Sequence, residues 1–193
     1  MCDTGPLDEA VVRAAPVKSF GSPVGDVLQP RPFASQQTLL DATQPPGRRD
    51  YWKSEYLPRL EPALLAKAVE HAARMVSPHA IILIFPIGGA LNQLPEGCSA
   101  AGNRDAAYVL IIGSAWDDAR DDAANIAWVR AAWEEMRPFS TGGTYVNFLT
   151  EEEGDERIHA AYRTGYDRLV AVKSRWDPHN LFRGNKNIVP RAA

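Results

Sequence analysis

The chain has 193 residues, 45% hydrophobic and 23% charged, which is enough for one domain with a buried core. A net charge of −3 and a pI near 5.8 argue against nucleic acid or an anionic membrane as partner, since both attract a basic face. No apolar run reaches the roughly 20 residues of a bilayer span, the first ten residues lack a secretory pattern, and Cys2 and Cys98 make no disulfide framework, so a cytoplasmic protein is expected.

Residues 1–47 are punctuated by seven prolines, from Pro6 to Pro46, and read as an arm or linker with short helices at 8–15 and 33–41. From Arg48 the pattern is regular. Residues 50–56 alternate as a strand. Residues 62–76 form a helix with Pro62 in its first turn and an apolar face of Leu65, Ala68, Val69, Ala72, Met75 and Val76. The run AIILIF at 80–85 is a buried strand ended by Pro86 and Gly88-Gly89, and 108–116 is a second long strand. Asp117 or Asp118 caps a helix to about Met136, with Ile126, Val129, Trp133 and Met136 inward. Residues 144–149 alternate again and read as the last strand.

The order β-α-β-β-α-β predicts an α+β fold, ferredoxin-like, with a four-stranded antiparallel sheet and both helices on one face. Residues 48–150 would form this domain. Residues 151–193 would add an acidic helix start, a helical segment jointed at Gly165 and stopped at Asp177-Pro178, and an irregular tail. That tail has too little apolar material for a core of its own and should lie on something else. The bare sheet face, rich in aromatic and aliphatic residues, should meet a ligand, a partner or the tail.

Alternation puts Tyr145 and Asn147 on one face of their strand, where a phenol and an amide can bind a carbonyl or a developing oxyanion. Spacing alone favours a plain strand role for them. Asn185 and Asn187 read as loop residues, Arg104 as a surface arginine or a substrate contact, Lys53 as a strand residue whose amine reaches water. Tyr162 and Tyr166 read as packing residues, and the acidic run 151–156 as complementing the helix that follows. His71, His79, His159 and His179 are scattered, so no metal site is expected. Gly88-Gly89 lacks the context of a phosphate loop.

YVNF at 145–148, then AY-x3-Y-x-RL, then K-x2-WDP-x-NLF-x2-N-x-NI, together with YWKS, NRDAAYVL and RPFSTGG upstream, resemble the C-terminal part of the berberine-bridge-enzyme-like FAD-linked oxidoreductases. The resemblance covers most of residues 20–190. It implies a substrate-binding domain at 48–150, a segment at 151–193 that returns to a flavin domain, and a truncated chain whose FAD-binding half is elsewhere. It implies oxidation of an alcohol, sugar or amine-like small molecule, with FAD as cofactor and a flavin-binding domain or chain as partner. Tyr145 would be catalytic and cofactor-binding, Asn147 substrate- and cofactor-binding, Arg104 substrate-binding, and Asn185 and Asn187 cofactor-binding. Three departures stand out. Phe148 replaces a second tyrosine, Asn103 replaces a histidine before Arg104, and Ile111 stands where many members carry a polar or acidic residue facing the flavin. An isoleucine cannot take a proton. The rival expectation is a stand-alone, non-catalytic ligand-binding or dimerisation module, for which a homo-oligomer is open.

Overall fold

The computed structural model describes residues 2–43, 45–184 and 186–191, which divide into two units, Met1–Pro46 and Gly47–Ala193. The first unit holds two helices, α1 (Leu7–Lys18) and α2 (Phe33–Gln37), neither with a buried residue. α1 continues through Pro16, past the stop expected at residue 15. Pro16 gives up its own bond to the preceding turn, yet the helix carries on past it, with Ser19 N–H reaching the Ala15 carbonyl at 3.0 Å.

In the second unit β1 (Arg49–Leu57), β2 (Ile81–Pro86) and β3 (Tyr108–Trp116) form a sheet in the order β1-β3-β2, with β3 antiparallel to both neighbours. α3 (Pro62–Ala72) joins β1 to β2, the short α4 (Ala90–Gln93) lies between β2 and β3, and α5 (Asp122–Met136) follows β3. Inserting the third strand between the first two fits a split β-α-β connection. Three of the four expected strands are therefore in place.

The fourth strand is not formed. Instead of a strand over 144–149, Val146–Phe148 make a single 3-10 turn. The edge of β1 is occupied by other groups. Tyr56 N–H donates to the Gly143 carbonyl and the Tyr56 carbonyl accepts from Thr141 N–H, each at 2.9 Å. The Arg157 guanidinium donates to the Ser54 carbonyl, also at 2.9 Å. An edge satisfied by a loop and a side chain leaves no ladder for another strand.

The helix-facing side of the sheet buries Leu57, Leu110 and Ile112 against Leu64 of α3 and Val129, Ala132 and Met136 of α5. The α5 stripe includes Asn125 and Trp128 as well. Asn125 is a buried amide that accepts from Ser114 Oγ at 2.6 Å and donates to the Asp121 carbonyl at 2.9 Å. Ile126 and Trp133, expected inward, are only half-buried. α3 ends at Ala72 and is turned from its expected face: Leu64 and His71 are buried while Leu65 and Val69 are exposed. The docking side is chosen by what lies beneath it, including Trp128, whose indole donates to the His71 carbonyl at 3.2 Å.

β1 also turns charge toward the helices. Glu55, with no exposed surface, pairs with Arg157 at 2.9 Å and accepts from the Trp133 indole at 2.8 Å. Burial pushes its carboxyl above the ordinary range, against the opposing pull of Arg157. Lys53 does not reach into water. It is buried and paired with Glu152 at 2.6 Å and Glu153 at 3.3 Å. Those two glutamates thus face β1 rather than merely completing a helix terminus. For Glu152 burial raises the pKa, but hydrogen bonds from Lys53, Tyr51 and Arg130 outweigh it and hold the carboxyl at about 2.

α6 (Asp155–Tyr162) and α7 (Tyr166–Trp176) meet at the expected joint around Gly165. Asp177 ends α7 and accepts from Leu181 N–H at 2.8 Å and Phe182 N–H at 3.0 Å, which turns the chain. The tail lies on this same unit. Ile188 packs with Leu149, Ile158 and Ala161, and Arg191 N–H donates to Ser174 Oγ at 2.8 Å. Trp176, Leu181 and Phe182 remain exposed. The opposite face of the sheet, bearing Trp52, Ile81, Leu83, Phe85 and Ile111, is partly open, with Leu83 38% and Phe85 44% exposed.

Arg157→Met would strand Glu55 without its cation and should cost about 3–5 kcal/mol in urea unfolding. Adding Glu55→Gln should return a large part of it; a loss below about 1 kcal/mol for the single change would show that this pair does not hold the edge. The acid limb tests Glu152. Its folded pKa lies below the ordinary 4.5, so its contribution is present above that pH and is lost as pH falls through about 2. The melting temperature of the wild-type chain should fall over that window more steeply than that of Glu152→Gln.

Candidate active site

Two side chains from the open face of β1 hold residues 144–148. At the start of the turn, the hydroxyls of Ser54 and Thr144 hydrogen-bond to each other. At its end, the Trp52 indole donates to the Phe148 carbonyl at 2.9 Å. Between these ties Tyr145 and Asn147 point outward, and the Asn147 amide donates to the Tyr145 hydroxyl at 2.7 Å. The pair expected from strand alternation is thus brought together by a turn. Tyr145 is 42% exposed. Its ring meets the edge of Phe148 with centroids 5.2 Å apart at 85°, so Phe148 supports the phenol instead of offering a second hydroxyl. Because the Tyr145 oxygen already accepts from Asn147, its own proton is left to donate outward.

Behind Tyr145 lies a cavity of about 610 Å³. Tyr56 and Val109, paired across β1 and β3, form its floor. Ile87 and Leu91, Arg104, and Tyr162 of α6 complete much of the wall. Burial, reinforced by the neighbouring Tyr145, pushes the phenols of Tyr56 and Tyr162 up, so both stay protonated donors at neutral pH. Tyr166 stacks on His159 with centroids 3.5 Å apart and stays a packing residue. Tyr162 packs against Leu149, Ile158 and Ala161 as expected and also lines the cavity.

Arg104 is not a surface residue. Its guanidinium is buried and donates to the Leu91 carbonyl and to Ser99 Oγ. Asn103 before it takes φ 60°, a conformation asparagine tolerates. Its amide donates to the Ala160 and Ala161 carbonyls at 3.0 and 3.1 Å. A side chain on Gly143 would begin 2.0 Å from Asn103 Oδ1 and could fit only by displacing the Asn103 amide. Together Asn103 and Gly143 bring the β1-edge loop and α6 against the cavity.

Ile111 sits on the open face between Ser54 and Leu83, two residues along the strand from Val109. It provides no proton acceptor there. Toward a flat, hydrogen-bonding ring such as that of FAD, Tyr145 and Asn147 offer polar groups on one side of the cavity mouth, and in the tail Asn187 Oδ1 is buried with no donor among the described residues. Asn185 lies outside the described residues. Among those residues, no group of three or more His, Cys, Asp or Glu could hold a metal ion, and no helix is long and apolar enough to cross a membrane.

Sequence reasoning did not single out Tyr56, Thr144 or Gly143. The period of two in β1 places Tyr56 on the face of Trp52 and Ser54, and that was the available signal. The roles of Thr144 and Gly143 depend on partners 90 and about 40 positions away, at Ser54 and Asn103.

A family profile described as "Berberine and berberine like" matches residues 144–189, which include the Tyr145 turn, α6, α7 and the tail. Among curated proteins, the aclacinomycin-N/aclacinomycin-A oxidase of Streptomyces galilaeus is 29% identical over 126 residues, covering 56% of this chain and 23% of that protein. An FAD-linked oxidoreductase of Dictyostelium discoideum is 25% identical over 179 residues, covering 90% of this chain and 38% of its own. The crystal structure of aclacinomycin oxidoreductase superposes with a TM-score of 0.71 at 24% identity, over 98% of this chain and 43% of that one. The chain therefore spans less than half the length of these relatives. The profile falls on the very segment that carries the site, and the proteins this chain is similar to are berberine-bridge-enzyme-like FAD-linked oxidoreductases, of which it spans a part.

Proposed function

We propose that this chain is the substrate-binding portion of an FAD-dependent oxidoreductase that acts on an alcohol, sugar or amine-like small molecule. Residues 48–150 carry the substrate, and residues 151–193 pack against a flavin-binding region. One observation carries the reading: the family profile begins at Thr144, where the Tyr145–Asn147 pair stands at the mouth of the cavity. FAD, when bound, supplies the electron-accepting chemistry. Tyr145 donates a hydrogen bond to the reacting oxygen or nitrogen, Asn147 fixes the phenol, and Tyr56 and Tyr162 add neutral donors deeper in. Asn187 meets the cofactor through its free acceptor. Ile111 leaves the proton-accepting role to a group on another element or on the companion region. In this reading the loop at 141–143 stands in for the outer strand of a ferredoxin-like sheet.

The open sheet face favours one alternative, a non-catalytic module that docks through Leu83, Phe85 and Ile111. Turnover separates the two. Supplied with a flavin-binding domain from a relative, the chain should oxidise substrate, and Tyr145→Phe should lower the rate roughly hundredfold while leaving the melting temperature almost unchanged. Leu110→Ala, at a fully buried position, should instead cost about 2–5 kcal/mol of stability. If Tyr145→Phe destabilises the fold as much as Leu110→Ala, the phenol is a packing residue and the assignment is wrong.

Without a companion, the chain should not bind FAD usefully, because one ring edge cannot replace a site for the pyrophosphate and adenine. Titration followed by flavin fluorescence should show no saturable quenching. A dissociation constant below about one micromolar would mean that the cofactor is held by this region alone.

A further inference from the structure

Arg104 carries a buried charge that pairs with no carboxylate among the described residues. The residue is 9% exposed. Its Nη atoms donate to two neutral acceptors, the Leu91 carbonyl and Ser99 Oγ, and its Nε is buried with no acceptor. The neighbouring acid, Asp105, is committed to Arg163 at 2.6 Å. The buried Lys53 and the largely covered Arg157 are treated differently. Arg157 has Glu55 and Glu153, each at 2.9 Å, and Lys53 has Glu152 and Glu153. Burying a cation without an anion is costly, so a fold that answers those two charges and leaves Arg104 unanswered has a reason located at Arg104.

Its surroundings indicate the reason. Arg104 lines the cavity behind Tyr145, whose wall is otherwise built largely from Ile87, Leu91, Val109 and Val146 and from phenols that bring no negative charge. The acceptor of Nη2 is a serine hydroxyl that can rotate away, which frees that N–H for a carboxylate oxygen. A volume of about 610 Å³ leaves room beyond the carboxylate for an apolar body of ring size.

We infer that the cavity binds an organic carboxylate, its anionic head on the Arg104 guanidinium and its apolar body against Ile87, Leu91 and Val109. The inference rests on reading the Tyr145 cavity as the substrate site, and it makes the substrate, or a group carried by it, an acid.

Calorimetric titration of the 193-residue chain without FAD tests it, using 2-naphthoate and its neutral isostere 2-naphthamide as probes. The carboxylate should bind at least about tenfold more tightly than the amide, and Arg104→Gln should abolish that preference while the far-ultraviolet spectrum is kept. Should Arg104→Gln fail to fold, because it also frees Leu91 and Ser99, the acid-to-amide ratio on the wild-type chain decides alone. Equal binding of the two probes overturns the inference, as does no binding of either at millimolar concentration. A preference that survives in folded Arg104→Gln overturns it as well. Since no flavin is present, these outcomes leave the oxidoreductase reading standing, and a failure of turnover with a flavin domain leaves this inference standing.

Discussion

The guanidinium of Arg157 organises the edge of this domain. From α6 it reaches the Ser54 carbonyl of β1 at 2.9 Å and the Gly142 carbonyl at 3.0 Å. Its charge is balanced by Glu55 on the strand and Glu153 on the approach to its own helix. One side chain therefore takes over part of what a fourth strand would do, satisfying β1 and holding the loop that leads to Tyr145. Paired charges at such depth contribute less to stability than their number suggests, because desolvation offsets attraction. What they secure is one arrangement of strand, loop and helix.

Much of the scaffold was legible in the sequence. The limits of β3, the joint near Gly165 and the stop at Asp177 all followed from local chemistry. The failures share a cause. Residues 144–149 alternate as a strand should, yet whether an alternating segment joins a sheet depends on a free edge, and Arg157 had taken that edge. Lys53 looked solvent-facing because polar residues in a strand usually are; its partner Glu152 lies about 100 positions later. On α3 the apolar pair Leu65 and Val69 suggested the wrong face, since shape at α5 and β2 favoured Leu64 and His71. In each case the deciding partner was distant along the chain.

The site was read by a different route. Tyr145 and Asn147 were expected on one face of a strand and meet instead through a turn, so the pairing was anticipated and its geometry was not. Arg104 became interpretable only once its burial and missing counter-ion were visible. Ile111 matters in the opposite sense. A centrally placed apolar residue on the open face makes that surface suited to stacking and unsuited to proton transfer, which shifts polar duties to the phenols at one end.

Trp52 has a further consequence. Its indole lies half-buried on the open face and is hydrogen-bonded to the carbonyl that closes the Tyr145 turn. Trp116 and Trp128 are buried, Trp133 is half-buried on the helix side, and Trp176 is exposed on α7. The chain thus contains an optical probe at the place where a companion domain would settle. With the exposed Trp176 replaced and Trp116, Trp128 and Trp133 on the helix side, an emission change on assembly would come chiefly from Trp52, without any label being attached.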